Sequence, residues 1–261
     1  MGSRLTQIVP LEDVVVECPH TRTYRFRADM DPEPGQFLML WIPRHDEVPM
    51  AYAFLENPLG VTVREYGDAT HALAVESKKG YRIGVRGPYG NSFAIDGKRA
   101  LAVAGGVGIA SLIAAIEAYA GAGIEIHTAF GARTKEELTF LDRVKAAGPV
   151  HVATDDGSAG HHGYVSDVAA KLLDDGRFEM VLTCGPEVMM KKVVDTANAK
   201  GVPVQASLER YMKCGIGICD ACALDDRLVC YDGTIFWGTD LATSADFGHW
   251  RRNISGQRVK A

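Results

Sequence analysis

The sequence predicts a mixed chain, α/β plus all-β. An antiparallel β-barrel comes first, then a doubly wound five-stranded parallel domain, then a small C-terminal domain. Three observations carry this expectation. Residues 1–96 hold many short β-branched or aromatic runs broken by Pro, Gly and Asp. Residues 97–208 alternate apolar strand-like runs with helical ones. Residues 209–261 lose that rhythm and hold four of the six cysteines.

In the first stretch, "RTYRFRA", "GQFLMLWI", "GVTVRE" and "YRIGVRG" read as strands. "DPEPG", "ENPLG" and "GPYGN" read as the turns between them. So many short strands suit a small closed barrel, with a sandwich as the alternative. Arg64, followed by Gly67 and Thr70, is either a surface strand residue or a partner for a diphosphate.

The second stretch opens with the apolar strand "RALAVA", a glycine-rich turn and an Ala-rich helix over Ala110–Ala120. "GIEIHTAF", "VHVAT", "EMVLTCG" and "VPVQASL" complete five strands, and "KEELTFLDRVKAA", "YVSDVAAKLL" and "EVMMKKVVDTANAK" are the helices between them. Gly105, Gly106 and Gly108 lie at the first strand-to-helix turn. Such a turn either lets a phosphate approach the backbone and the helix N-terminus or serves close packing alone. Cys184 and Gly185 end the fourth strand at the carboxyl edge, where open α/β sheets bind ligands. Cys184 is there either near a nicotinamide or as a small buried residue. Asp155 and Asp156 can cap a helix or contact a ribose, and His161 and His162 read as solvated loop residues.

The third stretch carries Cys214, Cys219, Cys222 and Cys230 in the pattern C-x4-C-x2-C-x7-C. The first intervals match plant-type [2Fe-2S] spacing. Four thiolates must converge on two irons, so the backbone has to wrap tightly, and Gly215 and Gly217 permit that. Zinc is the rival metal, but it prefers paired C-x2-C knuckles and only one such pair is present. Cys18 reads as an ordinary core cysteine. A C-terminal piece this short needs such a staple to stay ordered.

Composition narrows the function class. The chain has 261 residues, a net charge of −5 and 47% hydrophobic residues. Mild acidity disfavours a general nucleic-acid binder. No apolar run is long enough to span a membrane, and no apolar signal core opens the chain. A cytoplasmic location is expected, and there clustered cysteines hold metal rather than form disulfides.

The motifs together resemble the ferredoxin–NADP reductase superfamily. Within it they are most similar to the electron-transfer subunits of NAD-dependent dihydroorotate dehydrogenase. "PGQFLMLWIP" and "RGPYGNSF" resemble the flavin domain of that family. "AGGVGIASLIAA", "TDDGSAGHHGYVSD" and "TCGPEVMMKKV" resemble its nucleotide domain. "LERYMKCGIGICDAC" with "VCYDGTIF" resembles its cluster domain.

The resemblance implies an FAD-binding barrel (1–96), an NAD-binding domain (97–208) and a [2Fe-2S] domain (209–261). The family's flavin motif R-P-x-S falls on Met50, Ala51, Tyr52 and Ala53, a second flavin segment on Thr62, Val63 and Arg64, and a later Gly-Thr on Ala69 and Thr70. Cys214, Cys219, Cys222 and Cys230 fall on the cluster ligands. Met50, Ala53 and Ala69 depart from the Arg, Ser and Gly of the family pattern, and Ser111 replaces a frequent proline. A lost charge-assisted hydrogen bond is worth about 1.5–3 kcal/mol, so Arg64 and backbone amides are expected to hold more of the FAD diphosphate.

The implied reaction passes electrons from a separate FMN-containing, dihydroorotate-oxidising catalytic subunit through the cluster and FAD to NAD, in a heterotetramer of two plus two. No catalytic acid or base is expected in this chain. Phe236 and Trp237 are expected either at the partner contact or packed under the cluster loop. The rival functions are a related NAD(P)H–ferredoxin or sulfide-type reductase subunit and a non-enzymatic iron–sulfur redox sensor.

Overall fold

The computed structural model describes residues 3–260. The chain opens with β1 (Ser3–Cys18), β2 (Thr21–Phe26), β3 (Phe37–Trp41), β4 (Glu47–Phe54), β5 (Leu59–Arg64), helix α1 (Asp68–Glu76) and β6 (Arg82–Tyr89). The six strands close into an antiparallel barrel in the order β1-β2-β5-β4-β3-β6. The barrel is the one expected, but β1 and β4 were not legible as strands. Both carry prolines and charges, and β1 is bent. Its first half pairs with β6 and its second half with β2, with an irregularity after Leu11. Closure leaves no free sheet edge.

The next part runs β7 (Arg99–Gly105), α2 (Ile109–Gly121), β8 (Glu125–Ala132), α3 (Leu141–Ala147), β9 (Val150–Thr154), β10 (His161–His162), α4 (Val165–Asp174), β11 (Met180–Cys184), α5 (Glu187–Ala199) and β12 (Val204–Ser207). The five expected strands are all present. Helix α2 is apolar on nearly every side, so it must be covered all round. It lies against the sheet on one side and against Ala53 of β4 on the other, in one continuous core. The helix expected from Lys135 onward is broken. Phe140 takes a left-handed backbone, φ 61°, and its ring meets Phe54 edge-on at 5.9 Å.

The last part holds β13 (Ala223–Leu224), β14 (Arg227–Leu228), α6 (Val229–Asp232), β15 (Ile235–Trp237), α7 (Gly238–Leu241) and a hairpin of β16 (Trp250–Arg252) and β17 (Arg258–Lys260). The central sheet is larger than five strands. Its order is β10-β9-β8-β7-β11-β12-β15, with β15 antiparallel to β12. A strand of the C-terminal segment thus finishes the sheet of the preceding part. Asn91 of "RGPYGNSF" fixes it there: its side chain donates to the carbonyl of Ile235 at 2.9 Å and accepts the Ile235 N–H at 2.8 Å. Barrel, sheet and C-terminal segment are therefore stitched together at one seam.

Candidate cofactor sites

A cavity of about 360 Å3 opens at that seam. Pro49, Met50 and Thr70 of the barrel form one wall, Ser111 of α2 a second, and Arg210 and Met212 of the C-terminal segment a third. The N-terminus of α1 faces it through Thr70, whose hydroxyl accepts the N–H groups of Tyr66 at 2.9 Å and Gly67 at 3.1 Å. An exposed helix N-terminus beside an arginine suits an anion.

Two further cavities continue the cleft along the carboxyl edge of the sheet. One, about 450 Å3, is lined by Gly105, Gly106, Asp155, Tyr164 and Lys192. The other, about 370 Å3, is lined by Gly105, Gly106, Gly108, Gly185 and Glu209. Arg64 borders all three, while Val107 and Glu209 border the first and third. The three are one continuous groove. A larger cavity, about 1060 Å3, lies apart between β1, β2 and α3, and its mixed walls of Glu12, Glu17, Arg25 and Arg143 share no residue with the groove.

The expected flavin residues divide by strand alternation. Thr62 and Arg64 project into the groove, whereas Val63 between them turns into the barrel core. Met50 and Ala51 line the groove. Tyr52 does not: it is buried in the barrel, donates to the Met30 sulfur at 3.2 Å, and has its phenol pKa raised by burial. Ala53 is buried against α2 and Ala69 packs on the barrel core. Gly67 caps α1. Arg64 shares Glu137, at 3.4 Å, with Arg133 at 3.0 Å, so its guanidinium is oriented but not buried in a closed pair.

At the nucleotide edge, Gly105 and Gly106 line the groove; Gly106 has open space at its Cβ position, whereas a Cβ on Gly105 would stand 2.8 Å from both Met189 Sδ and Pro186 Cδ. Gly108 also permits close helix–strand packing, since a Cβ there would stand 2.6 Å from the Cys184 carbonyl oxygen. Cys184 itself is fully buried, and burial, helped by Glu209, pushes its thiol up to about 12. It is a packing residue below the groove rather than a wall of it. Asp155 faces the groove. Asp156 instead organises its loop, accepting the Ser158 hydroxyl at 2.6 Å and N–H at 2.9 Å, which lowers its pKa. His161 and His162 form the edge strand β10. Cys18 is only half-buried, with its sulfur 3.2 Å from the Thr139 hydroxyl.

The cysteine segment forms a sulfur-facing loop. Gly217 N–H donates to Cys230 Sγ at 3.3 Å, Ile218 N–H to Cys214 Sγ at 3.3 Å, and Cys230 N–H to Cys222 Sγ at 3.4 Å. Burial raises the Cys214 thiol pKa, but surrounding N–H groups outweigh it and bring the value to about 6. Gly215 has φ 68° and Gly217 φ 76°, which a side chain would strain. Among the described residues, no three His, Cys, Asp or Glu converge on a single-ion site. Four unpaired thiols in an amide-lined loop fit a two-iron cluster, which divides its ligands between two metals.

These features have counterparts in known proteins. Residues 209–242 match the iron–sulfur cluster binding domain of dihydroorotate dehydrogenase B, and residues 102–195 match an oxidoreductase NAD-binding domain. A probable dihydroorotate dehydrogenase B (NAD(+)), electron transfer subunit, from Methanocaldococcus jannaschii is 45% identical over 97% of both chains. The counterpart from Thermoplasma volcanium is 41% identical over 96% of both. The chain belongs to the dihydroorotate dehydrogenase B electron-transfer subunit family. Among solved structures, an NADH-dependent reduced ferredoxin–NADP oxidoreductase studied for flavin-based electron bifurcation is similar, with TM-score 0.82 and 30% identity over 93% of this chain and 91% of that one.

In this member of the dihydroorotate dehydrogenase B family, several groove residues escaped the sequence reading. Arg210 and Met212 sit inside "LERYMKCG" and signalled only the cluster. Glu209 also lines the groove, with its side chain exposed there between buried Leu208 and Arg210. Phe236 is buried under the cluster segment and unavailable to a partner, whereas Trp237 is partly exposed. Among the described residues of the cluster segment, the most exposed large apolar side chains are Ile218 at 76% and Tyr231 at 72%.

Proposed function

We propose that the chain carries electrons between an FMN-containing dihydroorotate-oxidising subunit and NAD, through a [2Fe-2S] cluster and FAD. The observation that supports this most is the three-walled groove. One end opens on the glycine turn of the NAD-binding segment. The other end abuts the cluster loop: Phe37 lines the groove and stands 3.7 Å from the Cβ position of Gly215, next to Cys214. A flavin supplies both hydride exchange and single-electron exchange, which a nicotinamide alone does not.

The chain's own residues bind and position. Arg64 and the α1 N-terminus suit the FAD diphosphate, and Pro49, Met50 and Met212 supply apolar walls that exclude water. Gly106 leaves room for a dinucleotide, and Gly105 lets Pro186 and Met189 close up behind it. Cys214, Cys219, Cys222 and Cys230 hold the irons, and their amide donors stabilise added negative charge. None of these roles calls for a proton-transferring side chain.

Exposed Ile218 and Tyr231 beside the ligands support partner docking at the cluster, and a heterotetramer of two plus two would place one partner on each copy. The six unpaired cysteines support a reducing, cytoplasmic setting. Among the described residues no helix is long and apolar enough to cross a membrane.

Mixing the cofactor-loaded chain with an FMN-containing dihydroorotate-oxidising subunit is expected to produce dihydroorotate-dependent NADH formation that neither protein gives alone. If the mixture forms no NADH while the chain still oxidises NADH with ferredoxin, the related reductase role replaces this one.

A further inference from the structure

The C-terminal hairpin brings a cation to the groove from outside both segments matched to known domains. Those segments end at residues 195 and 242. Arg251, on β16, lines the 370 Å3 cavity opposite Gly105, Gly106 and Gly108.

Its placement is built, not incidental. The Gly248 N–H donates to Glu187 Oε1 at 2.6 Å, tying the approach to the hairpin to the first turn of α5. The Trp250 N–H donates to the Asp246 carbonyl at 2.8 Å. Arg258 pairs with the Asp246 carboxylate at 2.6 Å and lies 4.8 Å from the Trp250 ring centre. In the hairpin register Trp250 faces Lys260, Arg252 faces Arg258, and Arg251 faces Val259. Alternation therefore sends Arg251 away from the Trp250–Arg258 face and toward the groove.

Three nearby arginines have acidic partners, and Arg252, which has none among the described residues, lies on the opposite face of the hairpin and does not line this cavity. Arg258 has Asp246, Arg227 has Asp240, and Arg210 has Glu187. Among the described residues Arg251 forms no ion pair with a carboxylate, although Glu209 lines the same cavity. The cavity also receives the N-terminal ends of α2, after the glycine turn, and α5, after Pro186, each 13 residues long. Glu187 in the first turn of α5 also lines the cavity but is already paired with Arg210, so two helix N-termini, Arg64 and the unpaired Arg251 guanidinium converge on one space, an environment for a phosphate.

We propose that Arg251 is a dinucleotide-binding residue whose guanidinium pairs with the diphosphate of NAD(H) over the Gly105–Gly108 turn. The cluster-bearing end of the chain then completes a site otherwise built by the nucleotide segment. This role rests on the NAD-binding function proposed above.

The test titrates ADP-ribose, NAD and NADP into the protein loaded with FAD and cluster, as wild type, Arg251→Ala and Arg251→Lys. ADP-ribose carries the diphosphate without the nicotinamide. Arg251→Ala is expected to weaken all three by about 10- to 100-fold, the range of one charge-assisted hydrogen bond. Arg251→Lys, which keeps the charge but not the fork, is expected to recover part of that loss. Flavin and cluster absorption should be unchanged in both variants, showing that the fold is intact.

Equal ADP-ribose affinity in wild type and Arg251→Ala overturns the proposal and leaves NAD binding standing. A loss confined to NADP assigns the arginine to a 2′-phosphate and also overturns it. A wild-type protein that binds none of the three removes the NAD-binding role itself, and this proposal with it.

Discussion

Cys222→Ser is expected to strip the iron–sulfur cluster and uncouple the chain from its partner while sparing the flavin groove. Cys222 is buried, packs into the core under the sheet, and accepts the Cys230 N–H at 3.4 Å. A serine at that position offers a poorer, harder ligand to iron. The cluster absorption bands should vanish. Partner-coupled NADH formation should fall by more than about 100-fold, exceeding the 10–100-fold typical of losing only a supporting contact. Hydride exchange between NADH and a two-electron dye should persist, because no cysteine of the loop lines the groove. Metal binding is also folding energy. The segment around residues 214–230 should therefore become sensitive to protease in the variant. Equal loss of both activities would show that the cluster loop also holds the groove together.

The second large effect is expected at Arg210. Its side chain is 2% exposed and forms a two-pronged pair with Glu187, Nη2 to Oε1 at 2.9 Å and Nη1 to Oε2. Glu187 Oε1 also accepts the Gly248 N–H at 2.6 Å. One buried pair thus ties together the entry to the cluster segment, the start of α5 and the approach to the C-terminal hairpin. Arg210→Met would leave Glu187 enclosed without its counter-charge. Breaking one side of a buried pair costs about 3–5 kcal/mol, so urea unfolding should shift by that amount. The double variant Arg210→Met/Glu187→Met should regain part of the loss, because an apolar replacement of both partners removes the stranded charge. Additive losses would show that the two side chains stabilise the fold independently.

Much of this architecture was readable because it rests on strong local signals. Continuous apolar runs at Ala100–Ala104 and Met180–Cys184 specify buried parallel strands, and both sit in the centre of the sheet. The cysteine spacing with Gly215 and Gly217 specified the loop that the structure shows facing its sulfurs. Strand alternation decided what motif matching alone did not. Tyr52, Ala53 and Val63 fall on the family's flavin segments but face the barrel core or α2, while Thr62 and Arg64 face the groove.

What stayed hidden depends on long-range pairing. The antiparallel addition of Ile235–Trp237 to the sheet needs Asn91, some 144 positions earlier, to satisfy both backbone groups of Ile235. No periodicity in "GTIFW" announces that. Arg251 lies in a tail whose sequence reads as irregular, and only the Gly248–Glu187 bond and the hairpin register bring it to the nucleotide edge. The Phe140 interruption of an otherwise helical run is likewise a tertiary choice, made so that its ring meets Phe54 and Arg143.

The central claim is that one groove joins a nicotinamide site, a flavin and the four-cysteine loop in a single electron path. Anaerobic titration of the cofactor-loaded protein with NADH, followed by visible absorption, tests it most directly. Flavin and cluster bands are expected to bleach together, with a capacity of two electrons for the flavin and one for the cluster per chain. Flavin bleaching with the cluster left oxidised in excess NADH, or no bleaching of either band, would contradict it.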